Sequence, residues 1–204
     1  MQGLGDCFNL DPKKKISHTT MLMEPRDKER LLLHTCCAPC SPYVIELLQR
    51  EFEVSAFFYN PNIHPLEEYQ RRLEEIKQFC NKIGITLSTG DYDVDQWFHI
   101  TKGMENEKEG GKRCELCYHM RLEKAASAAH TNGFRHFTTT LTVSPHKKAT
   151  VINQIGFELQ EKYSVSFYEA DFKKDNGFKK SCELSKKYGF YRQNYCGCVY
   201  SQRK

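Results

Sequence analysis

Ten cysteines stand in a chain of 204 residues, and seven of them fall into three tight groups: Cys36-Cys37-Ala38-Pro39-Cys40, Cys114-Glu115-Leu116-Cys117 and Cys196-Gly197-Cys198. Thiols at such spacings do two kinds of chemistry. They hold soft metals as thiolates, or they pass electrons by making and breaking a disulfide. A structural disulfide framework is the wrong default, because residues 1–15 carry Asp6, Asp11 and three consecutive lysines where a secretory signal would be apolar. The expectation is a cytoplasmic protein with reduced thiols, one that uses its cysteines for metal binding or redox work.

Cys36, Cys37, Cys114 and Cys117 supply four thiolates, the number that an iron–sulfur cluster or a closed zinc site takes. Spacing alone leaves both open. Two adjacent cysteines are awkward ligands for one tetrahedral zinc, whereas a larger cluster can span them, which favours iron–sulfur. Cys196-Gly-Cys198 differs in kind. Two trans peptide steps of about 3.8 Å bring its Cα atoms near the upper end of the disulfide range, and Gly197 frees the backbone to bend. So small a ring is strained and easily reduced, which suits a two-electron redox couple; extra metal ligands or plain thiols remain the other readings.

Cys40 completes C-x-x-C with Cys37 and is a candidate ligand for a second metal. Cys80 falls on an apolar helix face and reads as core, Cys182 as structural, and Cys7 as an incidental thiol. Among eight histidines only His34 and His146 lie beside the proposed site. Ser144 and Lys147 sit where a helix is expected to begin, a place that attracts phosphate; the plainer reading is a capping serine beside a solvated lysine. Asn60-Pro61-Asn62-Ile63-His64 reads as turn chemistry at the same edge. From residue 171 onward nine Lys or Arg face three Asp or Glu, interleaved with Tyr188, Tyr191, Tyr195 and Tyr200. Cations among aromatic rings suit an unstacked nucleotide, although a lysine-rich surface helix has the same statistics.

The elements that must position these groups are legible from periodicity. Strands are expected over 31–35, 54–59, 85–87, 136–141 and 165–169, with helices over 41–50, 66–83, 91–102, from Cys117 to about 131, 144–163 and 177–188. A polar loop over 105–113 leads into the C-x-x-C, whose thiolates would then face a helix N-terminus. The alternation predicts an α/β domain with a mainly parallel sheet and flanking helices over 30–204, preceded by a weakly ordered leader over 1–29. Ligands of such sheets bind beyond the carboxyl ends of the strands, where the first cysteine group lies. A net charge of +4 with 39% hydrophobic residues is ordinary, and no apolar run approaches the roughly 20 residues of a membrane span.

His34-Thr-Cys-Cys-Ala-Pro-Cys40, Tyr59-Asn-Pro-Asn-Ile-His-Pro65, Arg113-Cys-x-x-Cys117, the stretch 138–148, Asp171-Phe-Lys-Lys174 and Tyr191-Arg-Gln-x-Tyr-Cys-Gly-Cys198 occur in one order. Together they resemble the epoxyqueuosine reductases of the cobalamin-independent QueH type, over about residues 31–200 and without the leader. The resemblance implies reduction of the epoxide of epoxyqueuosine, at the tRNA wobble position, to the alkene of queuosine. It also implies a fold related to the adenine nucleotide α-hydrolases (HUP) with a cysteine-containing C-terminal extension. By the same resemblance Cys36, Cys37, Cys114 and Cys117 would hold a [4Fe–4S] cluster, and Cys196 and Cys198 would be a catalytic redox-active disulfide. Some members carry an additional iron, for which Cys40 and the C-x-C thiolates are candidate ligands; that competes with the disulfide role, and both stay open. The implied partners are tRNA carrying epoxyqueuosine and an electron donor that the sequence does not name, with no membrane. Tyr195 and His34 are candidate proton donors.

Two rivals make different demands. An ATP-consuming tRNA thiolase would need glycine and serine in the loop after the first strand, and His-Thr-Cys-Cys-Ala-Pro-Cys has no glycine. A zinc-stabilised RNA-binding module would be colourless and without turnover.

Overall fold

The computed structural model describes residues 28–202, so Cys7 and nearly all of the expected leader lie outside the described residues. Five parallel strands form one sheet in the order β3-β2-β1-β4-β5. In chain order the elements are β1 (Glu29–His34), α1 (Ser41–Leu48), β2 (Phe52–Phe58), α2 (Leu66–Ile83), β3 (Leu87–Thr89), α3 (Val94–Thr101), α4 (Lys112–Thr131), β4 (His136–Thr139), α5 (Ala149–Tyr163), β5 (Ser166–Phe167) and α6 (Gly177–Tyr188). This is the expected α/β class with flanking helices. No described helix is long and apolar enough to cross a membrane.

Leu31, Leu32 and Leu33 make β1 the centre of the sheet, because a strand covered on both faces needs apolar residues at every position. Successive side chains point to opposite faces. Leu31 and Leu33 therefore enter a core with α1 and α2 (Val44, Ile45, Leu48, Ile76, Phe79, Cys80). Leu32 enters the other core with α4 and α5 (Leu122, Ala125, Ala126, Ile152, Leu159). Each such leucine is worth about 1.5–3 kcal/mol of burial. The register sets Leu33 beside Ala56 of β2 and Thr138 of β4. Gly84, left-handed at φ 71°, stops α2 where the periodicity ends. The edges are short, three residues of β3 and two of β5, which limits open pairing.

Two boundaries differ from expectation in ways that bear on the site. The helix carrying Cys114 and Cys117 starts earlier, at Lys112, so the C-x-x-C lies within its first turns rather than ahead of it. Buried Arg113 causes this by donating to the carbonyls of Met104, Glu105 and Glu107, which folds the preceding loop back onto the helix start. Conversely β4 stops at Thr139 and a 3-10 turn over Thr140–Val143 follows, with Ser144 closing that turn before α5 begins at Ala149. Ser144 is thus no N-cap of α5, and a phosphate site built on that helix start does not form around it.

Candidate active site

All strands being parallel, their carboxyl ends share one edge, and the chain leaves β1 and β4 in opposite directions there, which opens a crevice between them. The first cysteine group occupies it. Cys37 is extended (φ −173°) and begins a 3-10 turn with Pro39 inside, which brings Cys40 back over its neighbours. The Sγ atoms of Cys36, Cys37 and Cys40 all lie within 4.8 Å of one another. Thr140 at the end of β4 ties this loop across the crevice. Its Oγ1 accepts from the Cys36 N–H at 3.0 Å and donates to the Cys36 sulfur at 3.3 Å. Hydrogen bonds from Cys37 and Cys40, with the cations of Lys147 and Arg121 behind them, hold the Cys36 thiol well below its usual range. Cys37, donating to Cys36, is pushed up to about 12, and Cys40 is raised as well. One thiolate shared among three sulfurs is a ready soft-metal donor set.

The opposite wall is α4. Cys114, Cys117 and Arg121 follow at one-turn spacing, so all three face the sheet edge. Burial raises both thiols, Cys117 to about 11, and Cys114 also accepts from the Gly110 N–H at 3.2 Å. Both pack in the same apolar cluster as Cys198, with Cys36 against it. Arg121 is 2% exposed. Its guanidinium donates to Asn60 Oδ1, its Nε has no partner, and no carboxylate pairs with it among the described residues. A buried guanidinium without a counter-ion is costly, so an anionic group in this cavity would be stabilised by it.

The C-x-C segment reaches the site without any helix or strand of its own. His64 holds it three ways: its N–H donates to Gly197 O at 2.8 Å, its carbonyl accepts from the Tyr195 hydroxyl at 2.6 Å, and its Nδ1 accepts from the Val199 N–H at 3.3 Å. Arg72, also 2% exposed, donates to Cys196 O at 3.1 Å and pairs with Glu68 at 2.7 Å. Gly197 sits at φ +130°, where only glycine is comfortable, and a Cβ there would stand 3.0 Å from Ile63 Cγ1. The 60–64 turn is thus the docking wall of the C-x-C, beyond its turn chemistry. Cys196 lines the cavity and Cys198 is buried; both are free thiols, as are the other described cysteines.

The cavity so enclosed measures about 230 Å³ and is lined by Cys36, Cys37, Cys40 and Cys196 together with Arg72, Arg121, Lys147 and Arg192, against one carboxylate, Glu109. Burial opposes the charge of Lys147, but its neighbours, Cys196 and Cys36 foremost, outweigh that and raise its pKa, so it stays a cation. Seven thiols, four of them lining the cavity with Arg72, Arg121, Lys147 and Arg192, fit an anionic thiolate-bound cluster. The closest-set thiols are Cys36, Cys37 and Cys40, while Cys114 and Cys117 stand outside that three-sulfur group on the α4 wall. The sequence reading of Cys40 as only a second-metal ligand therefore understates how near it lies to the first pair.

Both candidate proton donors are otherwise engaged. His34 is fully buried; its Nε2–H donates to Tyr59 O at 3.2 Å and its Nδ1 meets the Thr139 hydroxyl at 2.8 Å. Burial, then the Arg121 charge, lowers its pKa to about 3, so it is neutral. Tyr195 gives its hydroxyl hydrogen to His64. Cys80 is core, as expected. Arg72 and Arg121 were missed from the sequence; only the spacing of Arg121, one turn beyond Cys117, hinted at it.

A family model for Epoxyqueuosine reductase QueH matches residues 31–204. The chain belongs to that family. The QueH of Haemophilus influenzae is 48% identical over 88% of this chain and 74% of its own. The QueH of Streptococcus pyogenes serotype M1 is 38% identical over 96% of this chain and 82% of its own, so that alignment reaches into residues 1–29, beyond the motifs. Among solved structures, the U34-tRNA thiolase NcsA from Methanococcus maripaludis with its [4Fe–4S] cluster superposes at TM-score 0.55 and 12% identity. That match spans 87% of this chain and 63% of the thiolase. A predicted subunit of a tRNA methyltransferase from Methanocaldococcus jannaschii gives 0.54 and 10%, over 86% and 98%. At those identities the two structures show that the QueH chain shares their α/β fold.

Proposed function

We propose that this chain, an epoxyqueuosine reductase and so an oxidoreductase of tRNA modification, carries out its reaction in the cysteine-lined cavity. There it removes the epoxide oxygen of epoxyqueuosine at the wobble position of tRNA and leaves the alkene of queuosine. The observation that carries the assignment of the site is the convergence of three thiols, two further α4 thiols and the C-x-C pair around buried Arg72 and Arg121, in a chain of this family.

In this reading Cys36, Cys37, Cys114 and Cys117 hold a [4Fe–4S] cluster, with Cys40 or the C-x-C thiolates available to an additional iron. When bound, such a cluster supplies electrons one at a time. Cys196 and Cys198 supply the complementary capacity. As their S–S bond forms, two electrons and two protons leave the dithiol, both C–O bonds of the epoxide break, the carbon–carbon double bond forms and the oxygen departs as water. An electron donor restores the dithiol. Arg121, Arg72 and Lys147 stabilise the negative charge that gathers on sulfur and on the departing oxygen. The half-buried position of Cys196 beside the substrate space, with Cys198 buried in the same cluster as the α4 thiols, supports this division of labour. A tRNA substrate supports the cytoplasm as the compartment of the reaction.

Anaerobic purification with iron, sulfide and zinc analysis tests the reading, followed by turnover of tRNA carrying epoxyqueuosine. The expected result is brown protein with about four iron and four sulfide per chain, lost in Cys114→Ser, and queuosine among the digested nucleosides. Colourless protein holding one zinc and no turnover after reconstitution would overturn it.

A further inference from the structure

The tyrosines of the C-terminal segment, expected as platforms for unstacked bases, have other work. Tyr188 packs edge-on to Phe79 at 5.0 Å, Tyr191 lies under the Arg71 guanidinium at 3.4 Å, Tyr195 bonds His64, and Tyr200 stacks on Trp97 at 6.0 Å. A different ring stands at the cavity. Phe178, the second residue of α6, is 38% exposed while lining the same space as the cysteines. Exposed Arg192 lines it too, on the segment that leads to the C-x-C. An apolar ring held in water beside a cationic cavity matches one kind of partner in both respects: a base offers it a π-face, and a phosphate answers the charge. The cavity is sized for a single base rather than a run of nucleotides, so the neighbours of an inserted base must lie at its rim.

We propose that Phe178 is the stacking platform for a base flanking the nucleotide that enters the cavity, and that Arg192 contacts the adjoining phosphate. The proposal rests on the tRNA reading above. It makes α6, rather than the tyrosine-rich segment, the element that reads the single-stranded loop.

The test uses the reconstituted protein and a fluorescent RNA anticodon stem-loop, intact or with an abasic nucleotide on either side of the wobble position. Phe178→Leu keeps an apolar group but no ring and should weaken binding roughly tenfold, while Phe178→Trp should bind at least as well as the wild type. One of the two abasic hairpins should lose affinity for the wild type yet be indifferent to Phe178→Leu, as coupled partners require. Arg192→Gln should lower the slope of log affinity against log salt by about one. Equal affinities of wild type and Phe178→Leu, or no effect of either abasic site on the wild type, would overturn the platform while leaving turnover, and the function, standing. Failure of the wild type to bind the hairpin at all would overturn the tRNA reading and the platform with it.

Discussion

The two cysteine groups that meet in the cavity are held by different means. Cys36, Cys37 and Cys40 leave the end of a central strand that is paired on both sides and buried on both faces. Moving them means unpairing the sheet. Cys196 and Cys198 sit on a segment with no regular structure, held mainly by His64 and by the Arg72 bond to a carbonyl. At about 1 kcal/mol net for each such bond, that segment can open at far less than the cost of global unfolding. The difference suits the tasks proposed for them: ligands of a cluster must stay fixed and dry, whereas a dithiol recharged by an outside donor must become reachable.

The comparison breaks most visibly at the sulfurs. Cys36→Ser and Cys114→Ser should each lose the iron and reduce turnover to below detection, whereas Cys198→Ser should lose turnover but keep about four iron; equal iron loss in all three would merge the two groups into one ligand set. Leu33→Ala removes a packed side chain under the first group and should cost about 2–5 kcal/mol in urea unfolding. Global unfolding should then release both groups, because the 60–64 turn that docks the C-x-C follows β2 of the same sheet. Arg72→Lys leaves the sheet alone but removes the bond to Cys196 and the Glu68 pairing. Turnover should fall about tenfold to a hundredfold with iron retained, and iron loss would show that the segment also supports the cluster. Gly197→Ala forces a Cβ toward Ile63 at a strained φ, a local cost of about 1–3 kcal/mol. Faster alkylation of Cys198 in the oxygen-free, iron-loaded protein is the expected sign, and an unchanged rate would mean the docking is not what protects it. Tyr195→Phe deletes one hydrogen bond and should cost only about 1 kcal/mol, read as a roughly fivefold rise in exchange of the His64 and Val199 amides, which bond across this contact.

Periodicity located α2 at its observed bounds, because its apolar stripe ends on a glycine at positive φ, Gly84; α6 also ends as expected before a glycine at positive φ, Gly189, although its buried face is Gly177, Ser181 and Ser185. Periodicity missed the start of α4, where three backbone carbonyls gather on one buried arginine, Arg113. That contact joins residues six to nine positions apart, a pattern that no local propensity encodes. The cysteines were visible by type and spacing. Arg72 and Arg121 were not, since an arginine in a helix is ordinarily solvated and nothing local marks one whose helix face turns inward.

The sequence by itself determined the class of chemistry, through thiol spacing and motif order, and the parallel α/β sheet, through alternating apolar runs; both are local patterns along the chain. Tertiary structure decided which thiols meet, what charge surrounds them and which aromatic ring is left at the cavity. Those are distances between residues such as Cys36 and Thr140, or Arg72 and Cys196, more than a hundred positions apart. Only the closing of the sheet and the docking of the last segment bring them within hydrogen-bond reach.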